Sequence, residues 1–298
     1  MPNPHPGWRA LVADLLFFGA TFAVVNIIAY LYIVIAGRTL AAAEFGVFNA
    51  LFGLIAIAGF LGSSVQLAVT QAAALNPGRS GLTALMRATF RIGFPIIALL
   101  TCAGLPAASA IGAEPKQVAL AGVVVLAMFP GFTAMGFLAG IGRIRAQAGV
   151  NLLGAVARIA TGWPLMIAGA GVMGAILGYL FTYLVILVLA WHMSWQLVKD
   201  RPPEAATLAP PVRLEASAVA TFVLAFAPFA LDQLLVQVFA PALGGDYAAI
   251  ATMAKVVFFA AYPIIAVVYP HLLRRLDDTG RARLVGLAAA GVLSTAVG

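Results

Sequence analysis

Residues 199–215 read Lys-Asp-Arg-Pro-Pro-Glu-Ala-Ala-Thr-Leu-Ala-Pro-Pro-Val-Arg-Leu-Glu, the longest run of the chain with the composition of a soluble polypeptide. Six charged residues and four prolines fall in these 17 positions, whereas residues 159–198 contain no Asp, Glu, Lys or Arg. The two Pro-Pro pairs cannot continue a helix and favour an extended connector. We therefore interpret residues 199–215 as a linker that divides the chain.

The composition on either side of the linker indicates a membrane protein. The chain is 63% hydrophobic and 9% charged, whereas a soluble domain carries about 25% charged residues. Its net charge of +7 comes from short clusters scattered between apolar runs, which is typical of membrane topology signals and argues against nucleic acid binding. The single cysteine, Cys102, excludes a disulfide within one chain.

Eight apolar segments are long enough to cross a hydrocarbon core, which takes about 20 helical residues. Each run is continuous rather than alternating, so we predict helices and not barrel strands. The predicted spans are residues 15–36, 45–74, 92–111, 118–141, 150–168, 172–195, 218–240 and 247–269. A ninth run, 284–297, is short for a span and stops at Gly298, so we expect a fragment or a truncated product.

The basic residues predict the orientation. With a cytoplasmic N-terminus and alternating spans, 13 of the 17 Lys and Arg residues fall on the cytoplasmic side. Arg38 and Lys116 fall on the opposite side, and Arg158 and Lys255 fall within spans. Because basic residues concentrate in cytoplasmic loops, we predict a multi-pass membrane protein whose N-terminus and linker are cytoplasmic.

The two sides of the linker carry a similar turn. Glu44-Phe45 opens the second span and Asp246-Tyr247 opens the eighth. An acidic residue is favourable at a helix N-terminus, so the match indicates either a repeat or a chance recurrence of common caps. We predict an all-α polytopic membrane protein with the two-lobed architecture of a helical transporter. Its parts are a six-helix first lobe (1–198), the linker (199–215) and an incomplete second lobe (216–298) that ends in a partial ninth span.

Residues 38–48, Arg-Thr-Leu-Ala-Ala-Ala-Glu-Phe-Gly-Val-Phe, resemble the segment after the first helix in oligosaccharide flippases and polysaccharide exporters. These proteins belong to the multidrug/oligosaccharidyl-lipid/polysaccharide exporter superfamily. The chain keeps the Arg, Leu, Glu and Phe-Gly of that segment but has Ala41-Ala42 where Gly-Pro is usual. Residues 171–175 and 244–247, together with Asp232 and Ala254-Lys255, are also similar to the superfamily's pattern. The resemblance implies two helical lobes joined by a cytoplasmic loop after the sixth helix, which is where the linker falls.

Arg158 is the first candidate for the site. A charge at the centre of a membrane helix costs about 2.5–3.5 kcal/mol and needs a wet or paired location. Asn151, Ala155, Arg158 and Gly162 share one helical face. We predict that this face lines a cavity, with Asn151 beside an Arg158 guanidinium that binds phosphate. The alternative is an arginine that extends to the cytoplasmic interface.

Asp232 and Lys255 are the second candidate. Each lies eight residues from the outer end of its predicted span, on consecutive antiparallel helices. An ion pair between them lowers the free energy of placing both charges in the membrane. It either locks two helices together or forms part of the cavity wall. Gln233 and Gln237 lie beside the polar face that contains Asp232, and we include them as cavity candidates.

The residue patterns alone predict a two-lobed helical transporter. The leading hypothesis, whose substrate is implied by the resemblance, is a flippase or exporter of lipid-linked oligosaccharide or a polysaccharide precursor in the bacterial inner membrane that works by alternating access. Its predicted partners are the lipid-linked glycan, the lipid bilayer and glycan-assembly enzymes. The sequence predicts no enzyme activity, cofactor or metal site. Three alternatives remain open at this point: a cation-coupled drug antiporter of the same superfamily, an integral membrane glycosyltransferase or ligase, and a non-transporting membrane partner.

Overall fold

The structure of the protein, a computed structural model, describes residues 8–199 and 228–259. Every regular element within these two ranges is helical. The α-helices are α1 (Trp8–Thr39), α2 (Ala42–Leu75), α3 (Arg79–Ala107), α4 (Pro115–Gly140), α5 (Ile144–Leu165), α6 (Gly171–Val198), α7 (Pro228–Phe239) and α8 (Gly244–Phe259). Two 3-10 helices, Ser109–Ile111 and Pro241–Leu243, precede α4 and α8, and a π-helical segment, Met166–Ala170, joins α5 to α6.

Within the described residues, five helical runs are long and apolar enough to cross a membrane. The longest of them, Ile144–Val198, folds back on itself at Gly169 and Gly171, whose φ angles of 89° and 51° reverse the chain. As a result, α5 and α6 are antiparallel: a Cβ added to Gly178 would lie 3.0 Å from the carbonyl oxygen of Arg158. The six spans predicted before the linker therefore correspond to α1–α6. The described part of the chain is all-α, and the protein is a multi-pass membrane protein.

Glycines set the closest helix contacts. A Cβ added to Gly136 or to Gly140 of α4 would lie 2.5 Å from the carbonyl oxygen of Gln66 or of Thr70 in α2. Both contacts advance by four residues along each helix, so α2 and α4 run in the same direction. This parallel packing is expected because α3, which lies between them in the sequence, crosses in the opposite direction. Small residues four apart allow backbones to approach in this way.

The two ends of the bundle differ in charge. At one end, which we call the basic end, the Arg79 guanidinium lies 4.6 Å from the centre of the Trp195 ring and Arg145 lies 5.9 Å from that of Phe17. The opposite end, which we call the acidic end, carries the starts of α2, α4 and α8. There the Ala41 amide donates to Glu44 Oε2 at 3.2 Å. The separation matches the distribution of basic residues along the sequence.

The third span differs from its prediction. It was expected at residues 92–111, but α3 runs from Arg79 to Ala107 and includes Arg87 and Arg91, which are both exposed. Hydropathy locates only the part of a helix that crosses the hydrocarbon core. The helix itself can continue outside that core, because an exposed arginine does not end it. The same reason places the start of α5 at Ile144 rather than at residue 150.

α7 and α8 pack against α2, so the part of the chain after the linker contacts the first six helices directly. The predicted division into residues 1–198, 199–215 and 216–298 stays a prediction. Most of the linker, the start of the seventh span, the end of the eighth and the ninth run lie outside the described residues.

Candidate functional site

A pocket lies inside the bundle, between helices α1, α2, α4, α5 and α6. Its volume is about 120 Å³, which is room for several water molecules or a small anionic group. On α2 the pocket is formed by Gln66, nine residues before the helix ends at the basic end. The lining residues are Val25, Gln66, Phe132, Met135, Asn151, Ala155, Arg158, Thr182, Tyr183 and Ile186.

Arg158 is the charged residue of this pocket. Its Nε donates a hydrogen bond to Thr182 Oγ1 at 3.2 Å, and its guanidinium carbon lies 4.3 Å from the centre of the Tyr179 ring. A cation over an aromatic face gains about 0.5–2 kcal/mol, so both contacts offset part of the cost of placing the charge among apolar helices. Gln66 of α2 and Asn151 of α5 add neutral amide groups to the lining of the pocket.

Aromatic side chains behind Arg158 form a rigid support. The Tyr179 ring lies 5.1 Å from the Phe52 ring and meets Tyr32 edge-on at 5.7 Å. The Tyr32 hydroxyl donates to the carbonyl oxygen of Ala175 at 2.7 Å and the residue is fully buried. Buried rings in contact gain about 0.5–1.5 kcal/mol for each pair beyond their burial. The surface beneath the guanidinium is therefore fixed by α1, α2 and α6 together.

The structure places the predicted face of α5 toward the interior. Asn151, Ala155 and Arg158 all line the pocket. Gly162 lies beyond it, where a Cβ would overlap the Tyr32 hydroxyl. On the opposite side of the helix, the exposed fraction of Val156 is 49%, as expected for a side chain that faces lipid.

Thr182 was not identified from the sequence. A signal for it does exist, because the chain reverses near residue 170 and Arg158 and Thr182 are equally distant from that turn. Two residues equidistant from the reversal of an antiparallel helix pair lie side by side. Gln66 of α2 also lines the pocket.

Gln233 and Gln237 lie elsewhere, at the acidic end. Both are buried, at 3% and 4% exposure. Gln233 Nε2 donates to the carbonyl oxygen of Gly244 at 3.3 Å, and Gln237 Nε2 donates to that of Ile111 at 3.2 Å. Neither residue is among those that line the pocket at Arg158.

The contact around Gln237, which we call the seam, joins the two parts of the chain. It consists of Ala42, Gly46, Ile111, Gln237, Gly244 and Gly245. A Cβ added to Gly46 or to Gly244 would overlap Oε1 of Gln237, and one added to Gly245 would lie 2.6 Å from the carbonyl oxygen of Ala42. The two turns that the sequence pairs as similar are thus in direct contact. Gly46 and Gln66 are 20 residues apart on α2, which separates the seam from the pocket by about 30 Å.

Asp232 lies near the seam and its carboxylate is engaged by α8. Asp232 Oδ2 accepts a hydrogen bond from the Tyr247 hydroxyl at 3.1 Å, and Oδ1 accepts one from the Gln233 amide at 2.6 Å. The sequence did not identify Tyr247 as a partner. The side chain of Lys255 lies outside the described residues, so its predicted pairing with Asp232 stays a prediction.

Comparison with known proteins shows a fold relationship. A search of the solved structures found similarity to a MOP superfamily transporter from Pyrococcus furiosus, for which the reverse polarity of the binding pocket is described as suggesting a different function. The chains are 16% identical, the similarity covers 90% of this chain and 75% of that one, and the TM-score is 0.50. At this identity the similarity shows the fold. A scan against protein-family models and a search of the curated proteins gave no match.

Proposed function

We propose that the protein is a membrane transporter that moves a lipid-linked oligosaccharide or polysaccharide precursor across the bilayer. The observation that carries this proposal is Arg158, a permanent positive charge that lines a pocket among membrane-spanning helices. Such a charge is costly in a membrane unless a wet cavity or a ligand uses it. The guanidinium group is well suited to bind a phosphate headgroup.

The fold supports the general part of the proposal. The similar structure from Pyrococcus furiosus belongs to a MOP superfamily transporter, and residues 38–48 resemble the exporter branch of the same superfamily. The glycolipid substrate rests on that resemblance together with the cationic pocket. The proposed location is the bacterial inner membrane. The basic end is proposed to face the cytoplasm because the topology predicted from the sequence assigns 13 of the 17 basic residues to the cytoplasmic side.

The seam and the pocket together support transport by alternating access. The acidic end is closed by direct contact of the turns at Gly46 and Gly244, while the pocket lies in the basic-end half of α2. In the proposed cycle the headgroup enters from the cytoplasm and contacts Arg158 and Asn151, and the lipid tail stays in the bilayer. Separation of the seam then opens the outer side. Gln233 and Gln237, with Asp232 and Lys255, would meet the headgroup on that side.

An export assay in cells tests this function. In a strain whose surface glycan depends on this protein, Arg158→Ala should reduce surface glycan while the protein still accumulates in the membrane. Arg91→Ala is the matched control because it removes an exposed arginine from α3, and it should export normally. Normal export by the Arg158→Ala protein would reject the proposed role of Arg158.

A cation-coupled antiporter is the second candidate, and Asp232 is the observation that favours it. Asp232 is a carboxylate on α7 that accepts hydrogen bonds from Tyr247 and from a backbone amide, and a carboxylate can bind a proton or a sodium ion. In proteoliposomes, the antiporter hypothesis predicts that Asp232→Asn abolishes uptake driven by an ion gradient. Unchanged uptake by that variant would exclude Asp232 from coupling.

A further inference from the structure

The Arg158 guanidinium has two edges that can bind an anion with a pair of hydrogen bonds. One edge consists of Nε and a terminal nitrogen, and the other consists of the two terminal nitrogens. In this structure Nε donates to Thr182 Oγ1 at 3.2 Å. The first edge is therefore engaged by the protein, and the end of the guanidinium is the edge left for an anion.

The Thr182 hydroxyl is arranged to accept that hydrogen bond. It donates its own proton to the carbonyl oxygen of Gly178 at 2.9 Å, one turn earlier on α6. The residue is 1% exposed, and a β-branched side chain in a helix has few rotamers. With the proton committed to the backbone, the oxygen lone pairs point away from Gly178 and are presented to Arg158.

Tyr179 supports the guanidinium from beneath. Its ring lies 4.3 Å beneath the guanidinium carbon, and the ring is held by Phe52 and by Tyr32. Tyr179 and Thr182 are three residues apart on α6, so one helix supplies both the supporting face and the hydrogen-bond acceptor. Together they define the plane of the guanidinium and its rotation within that plane.

We infer that Thr182 is a positioning residue for Arg158: by accepting from Nε, it holds the guanidinium so that the two terminal nitrogens bind a phosphate group end-on. This inference rests on the proposed function, in which Arg158 binds the phosphate of a lipid headgroup. A fixed donor pair loses less conformational freedom on binding than a mobile arginine, and binding is tighter for that reason.

The test measures binding of a fluorescent polyprenyl diphosphate to the purified full-length chain in detergent, with the corresponding polyprenol as the phosphate-free control. Thr182→Val removes the acceptor with little change in shape, and Thr182→Ser keeps it. Thr161→Val is the matched control, because the Thr161 hydroxyl bonds only to its own helix at the Ala157 carbonyl among the described residues. Each substitution at residue 182 is also made in an Arg158→Lys background, which lacks the Nε donor.

The expected result is about tenfold weaker binding for Thr182→Val, the scale of losing one hydrogen bond to a charged group. Thr182→Ser and Thr161→Val should bind within about twofold of the parent, and Thr182→Val should add no loss in the Arg158→Lys background. If Thr182→Val does not accumulate, Thr182→Ala replaces it with the same expectation.

The experiment distinguishes failure of the positioning role of Thr182 from failure of the proposed function. If Arg158→Ala weakens binding but the variant that lacks the Thr182 hydroxyl binds like the parent, the positioning role is wrong and the proposed function stands. An equal loss in the parent and Arg158→Lys backgrounds would also reject the positioning role, since it would show an effect independent of Nε. If Arg158→Ala itself binds the diphosphate like the parent, the proposed function fails at its central residue.

Discussion

Oε1 of Gln237 occupies the space that a Cβ on Gly46 would need. The two residues belong to α7 and α2, on opposite sides of the linker. Oε1 is buried with no hydrogen-bond partner among the described residues, which costs about 1–3 kcal/mol when the group is removed from water. Hydration of this oxygen on opening would recover that free energy, so the seam is suited to reversible separation.

Filling the seam should shift it toward the open state. Gly46→Ala places a methyl group against Gln237, and overpacking of this kind costs about 1–3 kcal/mol. We expect a cysteine in place of Ile111, a buried seam residue, to react faster with a membrane-impermeant maleimide when Gly46→Ala is present. The native Cys102 is replaced by serine in both proteins, and Gln237 is kept. Gly149→Ala is the matched control because a Cβ there meets no atom within 4 Å. Equal labelling rates with and without Gly46→Ala would show that the seam does not control access to position 111.

The support beneath Arg158 makes a second prediction. Tyr32→Phe removes the hydrogen bond to the Ala175 carbonyl and leaves a buried acceptor without that donor. The expected loss is about 1–3 kcal/mol in free energy of unfolding, measured as a lower thermal transition in detergent. Tyr30→Phe, two residues earlier on α1, is the control and should leave the transition near that of the parent. A Tyr32→Phe transition as high as that of the control would show that the hydroxyl does not contribute.

The orientation is tested by labelling from outside intact cells. In a background where Cys102 is replaced by serine, single cysteines are introduced at two exposed positions, Glu114 at the acidic end and Arg143 at the basic end. The distribution of basic residues predicts that an impermeant maleimide labels the cysteine at position 114, and labels the one at position 143 only after the cells are opened. The reverse pattern would invert the proposed topology and the direction of transport.

Much of the helical fold could be predicted from the sequence because membrane spans and basic loops leave strong local signals. The face of α5 that lines the pocket could also be predicted, because Asn151, Ala155 and Arg158 recur at helical spacing. The ends of the helices were predicted less accurately than the helices themselves. α3 continues through Arg87 because a helix is held by its backbone hydrogen bonds and does not end where the hydrocarbon does.

Contacts between distant parts of the chain were harder to predict from the sequence. Gly46 and Gln237 meet across 191 positions, and no periodicity links them. The Tyr247 hydroxyl donates to Asp232, a contact that the predicted helix ends did not indicate, and the predicted pairing of Asp232 with Lys255 stays a prediction.

Lipid translocation tests the central claim most directly. The full-length chain is reconstituted into liposomes with a fluorescent polyprenyl diphosphate-linked oligosaccharide, and the fraction that reaches the opposite leaflet is measured by chemical quenching of the outer leaflet. The account predicts that the parent protein moves the lipid, that Arg158→Lys retains part of the rate, and that Arg158→Ala falls to the rate of protein-free liposomes. Translocation by Arg158→Ala at the parent rate would contradict it.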